Sequence, residues 1–181
     1  RHLQLALETW QGEPVTVQYK TFFLNAGIPP EGKDFRSYMQ SKFGGRVSLE
    51  PLFEAPRRAG AAVGLTFNFE AITRSPNTLM SHQVIALTPA EGQISMIDAL
   101  YRAYFEEGRD IGDLDTLVKI AIEEGLDGEA IRQHLQQGTG AEAILAEAHD
   151  AQMMGIQGVP FFIINRKYAF SGAQPPELIA K

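Results

Sequence analysis

The chain has 181 residues, 44% hydrophobic and 21% charged, with a formal net charge of -6. That length can bury a sizeable core, and a mildly acidic chain without a basic cluster has no electrostatic footprint for nucleic acid. No apolar run approaches the ~20 residues a helix needs to cross a bilayer, and the complete lack of cysteine excludes disulfides, thiolate zinc sites and cysteine nucleophiles within these residues.

The sequence runs from Arg1 directly into an apolar-patterned helix (Leu3, Leu5, Ala6, Leu7, Trp10) with no cap residue before it. Gly12 and Pro14 end that helix. Residues 15–20 alternate apolar and polar side chains, the period of a half-buried strand. A loop of turn formers follows: Asn25, Gly27, Pro29, Pro30 and Gly32. From about Asp34 to Met154 the pattern is helical. Ile97, Leu100, Tyr101, Tyr104 and Phe105 form one stripe. Leu114, Leu117, Val118, Ala121 and Ile122 form a second, and Ala141, Ile144, Leu145 and Ala148 a third. Breaks fall where Gly108 precedes Asp113, Gly125 precedes Asp127, and Gly138 and Gly140 precede the last helix.

The end of the chain reverts to strand character. Residues 161–164 are a continuous apolar run and read as a buried strand, Asn165-Arg166-Lys167 as a turn, and residues 168–171 as a second strand closed by Gly172. Pro175-Pro176-Glu177 reads as the opening turn of a helix, with a proline at its first position and a carboxylate suited to the dipole. Both ends read as cut, so a fragment is expected. The order helix, strand, long helical block, strand, strand, helix requires the flanking strands to meet, because none can bury its apolar face alone. A split domain with a helical insertion follows, divided as 1–30, 31–150 and 151–181.

Between the helical block and the last strands stands Gly158-Val159-Pro160. Proline cannot donate to a ladder and belongs at the start of a strand or on an edge. X-Pro is also the common place for a cis peptide. A bare Val-Pro is more often a trans proline opening a strand, so the surrounding sequence decides.

Several segments in order carry a resemblance. They are Phe23-Leu24-Asn25 with Ile28-Pro29-Pro30-Glu31-Gly32, then Asn68, and Arg74-Ser75-Pro76-Asn77-Thr78 with Ser81-His82. Tyr104-Phe105-Glu106-Glu107-Gly108-Arg109-Asp110-Ile111, residues 155–162 and Ser171-Gly172-Ala173-Gln174 complete the set. Together they resemble the DsbA-like thioredoxin superfamily, specifically its FrnE-like branch, over nearly the whole chain. The resemblance implies an α/β thioredoxin fold split by a large all-α insertion domain. It implies a thiol–disulfide oxidoreductase or isomerase with no cofactor, acting on protein thiols and disulfides in the bacterial cytoplasm.

In such proteins a Cys-x-x-Cys turn precedes the first helix, whose dipole lowers the thiol pKa, and exchange runs through a mixed disulfide. The substrate-binding residues it implies here are Gly158, Val159 and Pro160. The catalytic cysteines have no counterpart in these residues. Without the first strand of that fold, residues 15–20 could not pair with residues 161–164, so that strand is expected in the intact protein. The competing readings are a glutathione-dependent isomerase or transferase of the 2-hydroxychromene-2-carboxylate isomerase and kappa type, and a non-catalytic binding module.

The resemblance also puts His82, Arg74 and Asn77 near the cleft; the plainer reading is a capping and packing cluster in which Ser75 or Asn77 caps a helix over 77–87. His2, His134 and His149 are scattered, with no metal-like spacing. Asp110, Asp113 and Asp115 with Glu106 and Glu107 read as an N-cap and first-turn carboxylates, since a calcium loop needs a ligand ladder. Met153-Met154 reads as core filling. Lys42, Arg46, Arg57 and Arg58 read as a solvated basic face.

Overall fold

The computed structural model describes residues 1–45 and 48–180. In chain order these form α1 (His2–Thr9), β1 (Lys33–Asp34), α2 (Phe35–Lys42), α3 (Glu50–Ala61), β2 (Arg74–Ser75) and α4 (Leu79–Leu87). A short 3-10 turn (Ala90–Gly92) leads to α5 (Gln93–Phe105), α6 (Leu114–Glu123), α7 (Gly128–Gln136) and α8 (Ala141–Met153). The hairpin β3 (Phe161–Ile164) and β4 (Tyr168–Ser171) and the helix α9 (Pro176–Ile179) finish the chain. Two compact units emerge: residues 1–24 with 145–181, and residues 25–144.

In the unit 25–144, helix starts are set by aspartates. Asp34 accepts the N–H of Ser37 at 2.8 Å, Asp113 that of Thr116 at 2.8 Å, and Asp127 those of Glu129 at 2.9 Å and Ala130 at 3.2 Å. Each satisfies donors that the first helical turn leaves open. Helix α4 packs against α5, α6 and α7 around Val84, Met96, Leu100, Leu117, Ile120 and Leu135. A second cluster is aromatic: Phe35, Phe53 and Phe69 with Leu49 and Ile72, flanked by Phe67, Tyr104 and Phe105. Phe53 stacks on Phe69 at 4.4 Å between centroids, and Phe105 meets Phe67 edge-on at 5.4 Å, the offset and T-shaped arrangements that ring quadrupoles favour.

The phases of the expected stripes are displaced. On α5 the buried positions are Met96, Ala99, Leu100 and Ala103, and Tyr101 is exposed. On α6 Ile120 is buried in place of Ile122. On α8 Leu145 is exposed. Helix α4 begins at Leu79, not 77, and the two-residue ladder of β1 with β2 has no counterpart in the sequence reading.

In the unit 1–24 with 145–181, Ala6, Ala148 and Ala151 are buried, and α1 packs against α9. The hairpin pairs Phe161 with Ser171 through Ile164 with Tyr168, and Phe162 stacks on Phe170 at 4.6 Å. Its turn carries Asn165 and Arg166 at φ 52° and 57°, the doubly positive geometry whose twist matches the strands it joins. Three expectations are corrected here. Residues 15–20 are not a strand, since a ladder needs a neighbour and β3 pairs only with β4 among the described residues. The strand Phe161–Ile164 forms but is not buried, because a two-stranded hairpin leaves its faces open. Met153 and Met154 are 74% and 66% exposed and fill no core.

Candidate functional site

The loop before β3 is built by two constraints. Helix α8 ends through Met154 and Gly155, whose N–H groups bond back to Asp150 and Gln152. The Val159–Pro160 peptide bond is cis. The N–H of Gly172 donates to the carbonyl of Pro160 at 2.8 Å, joining the end of β4 to the start of β3. Gly172 sits at φ 85°, a region open to glycine and rarely to other residues. Beyond it, Gln174 folds back on itself: its N–H donates to the Gly172 carbonyl and its Nε2 to the Ser171 carbonyl, each at 2.9 Å.

These residues enclose an open cavity of about 410 Å³ lined by Gly158, Val159, Pro160, Phe161, Ser171 and Gly172 among others. Val159 is 52% exposed, and neither its N–H nor its C=O has a backbone partner among the described residues. The surface so formed offers one donor and one acceptor at the lip of an open groove lined by polar and apolar groups alike. An extended peptide can take up such groups.

The other expected site residues lie in the unit 25–144. Arg74 donates to the carbonyl of Glu31, and its own carbonyl accepts Tyr104 Oη at 3.2 Å. Asn77 Nδ2 donates to the carbonyl of Ile28 at 2.8 Å, while its Oδ1 accepts the N–H of Leu79 at 3.0 Å. Asn77 thus opens α4 and holds the 28–31 loop, and Arg74 holds the same loop. His82 is half-buried on the first turn of α4, its N–H bonded to the Thr78 carbonyl at 3.1 Å. No group of three or more histidine or acidic side chains among the described residues is placed to hold a metal ion. No helix among them is long and apolar enough to cross a membrane.

The basic face dissolves into local pairings. Arg57 lies among Glu50, Glu54 and Glu70, and Lys42 donates to Asn25 at 2.8 Å. Arg46 lies outside the described residues. One contact escaped the sequence reading altogether. His2 Nδ1 meets the carbonyl oxygen of Gln174 at 2.9 Å, though the two are 172 positions apart and no local pattern couples them.

A family model for the DSBA-like thioredoxin domain matches residues 1–181. The chain belongs to that family. Among solved structures, this DSBA-like chain is similar to a probable DsbA oxidoreductase from Streptomyces coelicolor, with a TM-score of 0.84 and 28% identity over 99% of this chain and 79% of that one. Among curated proteins it is similar to the uncharacterized protein YwbO of Bacillus subtilis, 26% identical over 163 residues, 87% of this chain and 76% of the relative. At the level of the family, the DSBA-like domain is that of a thiol–disulfide oxidoreductase.

Proposed function

We propose that this protein exchanges thiols and disulfides in other proteins, as an oxidoreductase or isomerase of the FrnE-like kind, and that Gly158, Val159 and Pro160 hold the substrate. The observation carrying this reading is the Val159 backbone, which has no backbone partner among the described residues, beside Pro160 in an open cavity. An extended substrate segment would bond to the Val159 N–H and C=O, which leaves its disulfide aligned for attack and puts little demand on its side chains. In the exchange a thiolate attacks one substrate sulfur, a mixed disulfide forms, and the other substrate sulfur leaves as a thiolate. A second thiol then breaks the mixed disulfide, so that the enzyme dithiol is oxidised by two electrons and the substrate disulfide reduced; the reverse sequence oxidises the substrate. Since these 181 residues contain no cysteine, the reading requires a dithiol supplied from outside them. A bacterial cytoplasmic location goes with it.

One second reading needs no dithiol at all. A glutathione-dependent isomerase or transferase takes its sulfur from bound glutathione and needs no thiol of its own.

Insulin reduction by the full-length protein tests both. Turnover is expected, with Pro160→Ala raising KM by about tenfold, the scale of one or two lost backbone bonds. Turnover that persists undiminished when every cysteine of the protein is changed to serine would sink the dithiol reading. Activity seen only with added glutathione, and indifferent to those changes, would support the second.

A further inference from the structure

The cavity rim is connected to the beginning of α1 by an unbroken series of hydrogen bonds. A carbonyl oxygen can only accept, so His2 Nδ1, 2.9 Å from the oxygen of Gln174, carries the proton and donates. Gln174 passes its own N–H to Gly172 and its side-chain Nε2 to Ser171. Gly172 in turn gives its N–H to Pro160. Of these five residues, Ser171 closes β4, Gly172 and Gln174 lie in the turn that follows it, and the fourth bond ends on the carbonyl that follows the cis peptide. The turn leading out of β4 offers little side chain to pack: Ser171 and Ala173 are exposed and Gly172 carries no side chain. Its place is set by the pairing of Ser171 with Phe161 at one end and by its own hydrogen bonds beyond. Within it, the only side chain from outside the turn that is bonded to it among the described residues is His2.

We propose that His2 is a positioning residue for the substrate loop: by holding the 171–174 turn it orients the Pro160 carbonyl, and leaves the adjoining Val159 backbone turned out to receive substrate. The functional half of this inference rests on the oxidoreductase reading above. Histidine suits the role because its donor sits one bond beyond Cγ on a rigid ring. Asparagine carries Nδ2 at the same remove and can replace that donor; alanine and phenylalanine cannot donate at all.

The test uses the full-length protein and the variants His2→Ala, His2→Phe and His2→Asn. Amide hydrogen exchange at Gly172 and Gln174, read by NMR without substrate, is expected to quicken by about fivefold in His2→Ala and His2→Phe. It should return to the parent rate in His2→Asn. With a reporter peptide closed by one disulfide, KM should rise by about fivefold in the first two variants with kcat within about twofold, and should recover in the third. A general loss of stability would lower both constants' quality together and would not be rescued selectively by asparagine. Unchanged exchange at Gly172 in His2→Ala would overturn the inference whatever the kinetics. If the parent protein turns over no disulfide while the exchange pattern follows His2, the oxidoreductase reading fails and the positioning of the turn stands.

Discussion

Glu147 on α8 accepts the backbone N–H of Thr21 at 2.7 Å, and the same carboxylate takes Lys20 Nζ at 2.9 Å. Thr21 is buried, so this is a paired main-chain donor that would otherwise be left without water. Residues 14–23 belong to no helix or strand, and Glu147 gives them one fixed point. Burial pushes the Glu147 carboxyl up, but the bonds from Lys20 and Thr21 outweigh it and hold the group below the usual glutamate value. A depressed carboxyl stabilises the fold fully above its unfolded pKa and loses that contribution as pH falls through the folded value. Glu147→Ala should lower stability at pH 7 by about 1 kcal/mol, the exposed lysine arm adding little. Glu147→Gln should cost less at pH 7 and flatten the acid side of the stability curve below about pH 4. Urea denaturation across that range is the check, and an unchanged midpoint for Glu147→Ala at pH 7 would remove the anchor from the account.

Gly108 ends the approach from α5 at φ 70°, and a Cβ built there would lie 2.3 Å from the carbonyl oxygen of Ala71. Backbone cannot yield as a flexible side chain would. The nearby bonds from the Asn68 N–H to the Phe105 carbonyl at 2.7 Å and from the Arg109 N–H to the Ala103 carbonyl at 2.8 Å tie both sides of the contact. Gly108→Ala therefore meets a left-handed conformation and a clash together and should cost about 2–4 kcal/mol. Thermal unfolding of the variant beside Gly125→Ala separates the two effects: Gly125 shares the positive φ, 83°, but has nothing within 4 Å of its Cβ position. Equal losses at the two sites would show that the clash counts for nothing.

What could be read from the sequence was what is decided locally. Gly108 before Asp113 and Gly125 before Asp127 mark helix ends and starts because a cap needs only residues within one turn. The helical stripes were legible as helices and misread in phase. Periodicity reports an amphipathic face, whereas α5 packs against both α4 and α6 and buries the small Ala99 and Ala103 as well. Residues 15–20 have strand alternation, but a strand is a relation between two segments, and alternation describes one. Gly158, Val159 and Pro160, proposed above to hold substrate, stand out in the sequence through their position ahead of the hairpin and the Ser-Gly-Ala-Gln turn. The bonds that shape the loop, Gly172 to Pro160 and His2 to Gln174, join residues whose separation leaves no periodic trace.

Asp113 decides between two uses of the acidic cluster at 106–115. Its Oδ2 accepts the Thr116 N–H at 2.8 Å, and Asp110 Oδ1 accepts the Gly112 N–H at 2.9 Å. Arg109 pairs with Glu107 and Glu123. The carboxylates are thus engaged by backbone donors and a guanidinium. Asp113→Ala should destabilise by about 1 kcal/mol and Asp113→Ser or Asp113→Asn by a few tenths, the ranking of N-cap residues. A fall in stability on adding a chelator, absent in Asp113→Ala, would contradict the capping role.

Tyr104 couples the aromatic cluster to the β2 strand, with its Oη donating to the Arg74 carbonyl at 3.2 Å. Burial pushes its phenol up to about 12, Asp110 adds to the rise, and a bond with Ser75 works against it. An ordinary tyrosine titrates near 10. Between those values the unfolded chain gives up the proton and the folded one keeps it, so the unfolded state binds fewer protons and stability falls as pH rises. Below about pH 10 the contribution is complete; by about 12 it has gone. Tyr104→Phe keeps the ring against Phe105, at 4.8 Å between centroids, and gives up one hydrogen bond. It should cost about 1 kcal/mol or less at pH 7 and should make the alkaline limb of the stability curve shallower between pH 10 and 12. Denaturation midpoints across that interval, paired with ultraviolet titration of the phenolate, test both parts. An alkaline limb identical to that of the parent protein would mean that another group governs the loss.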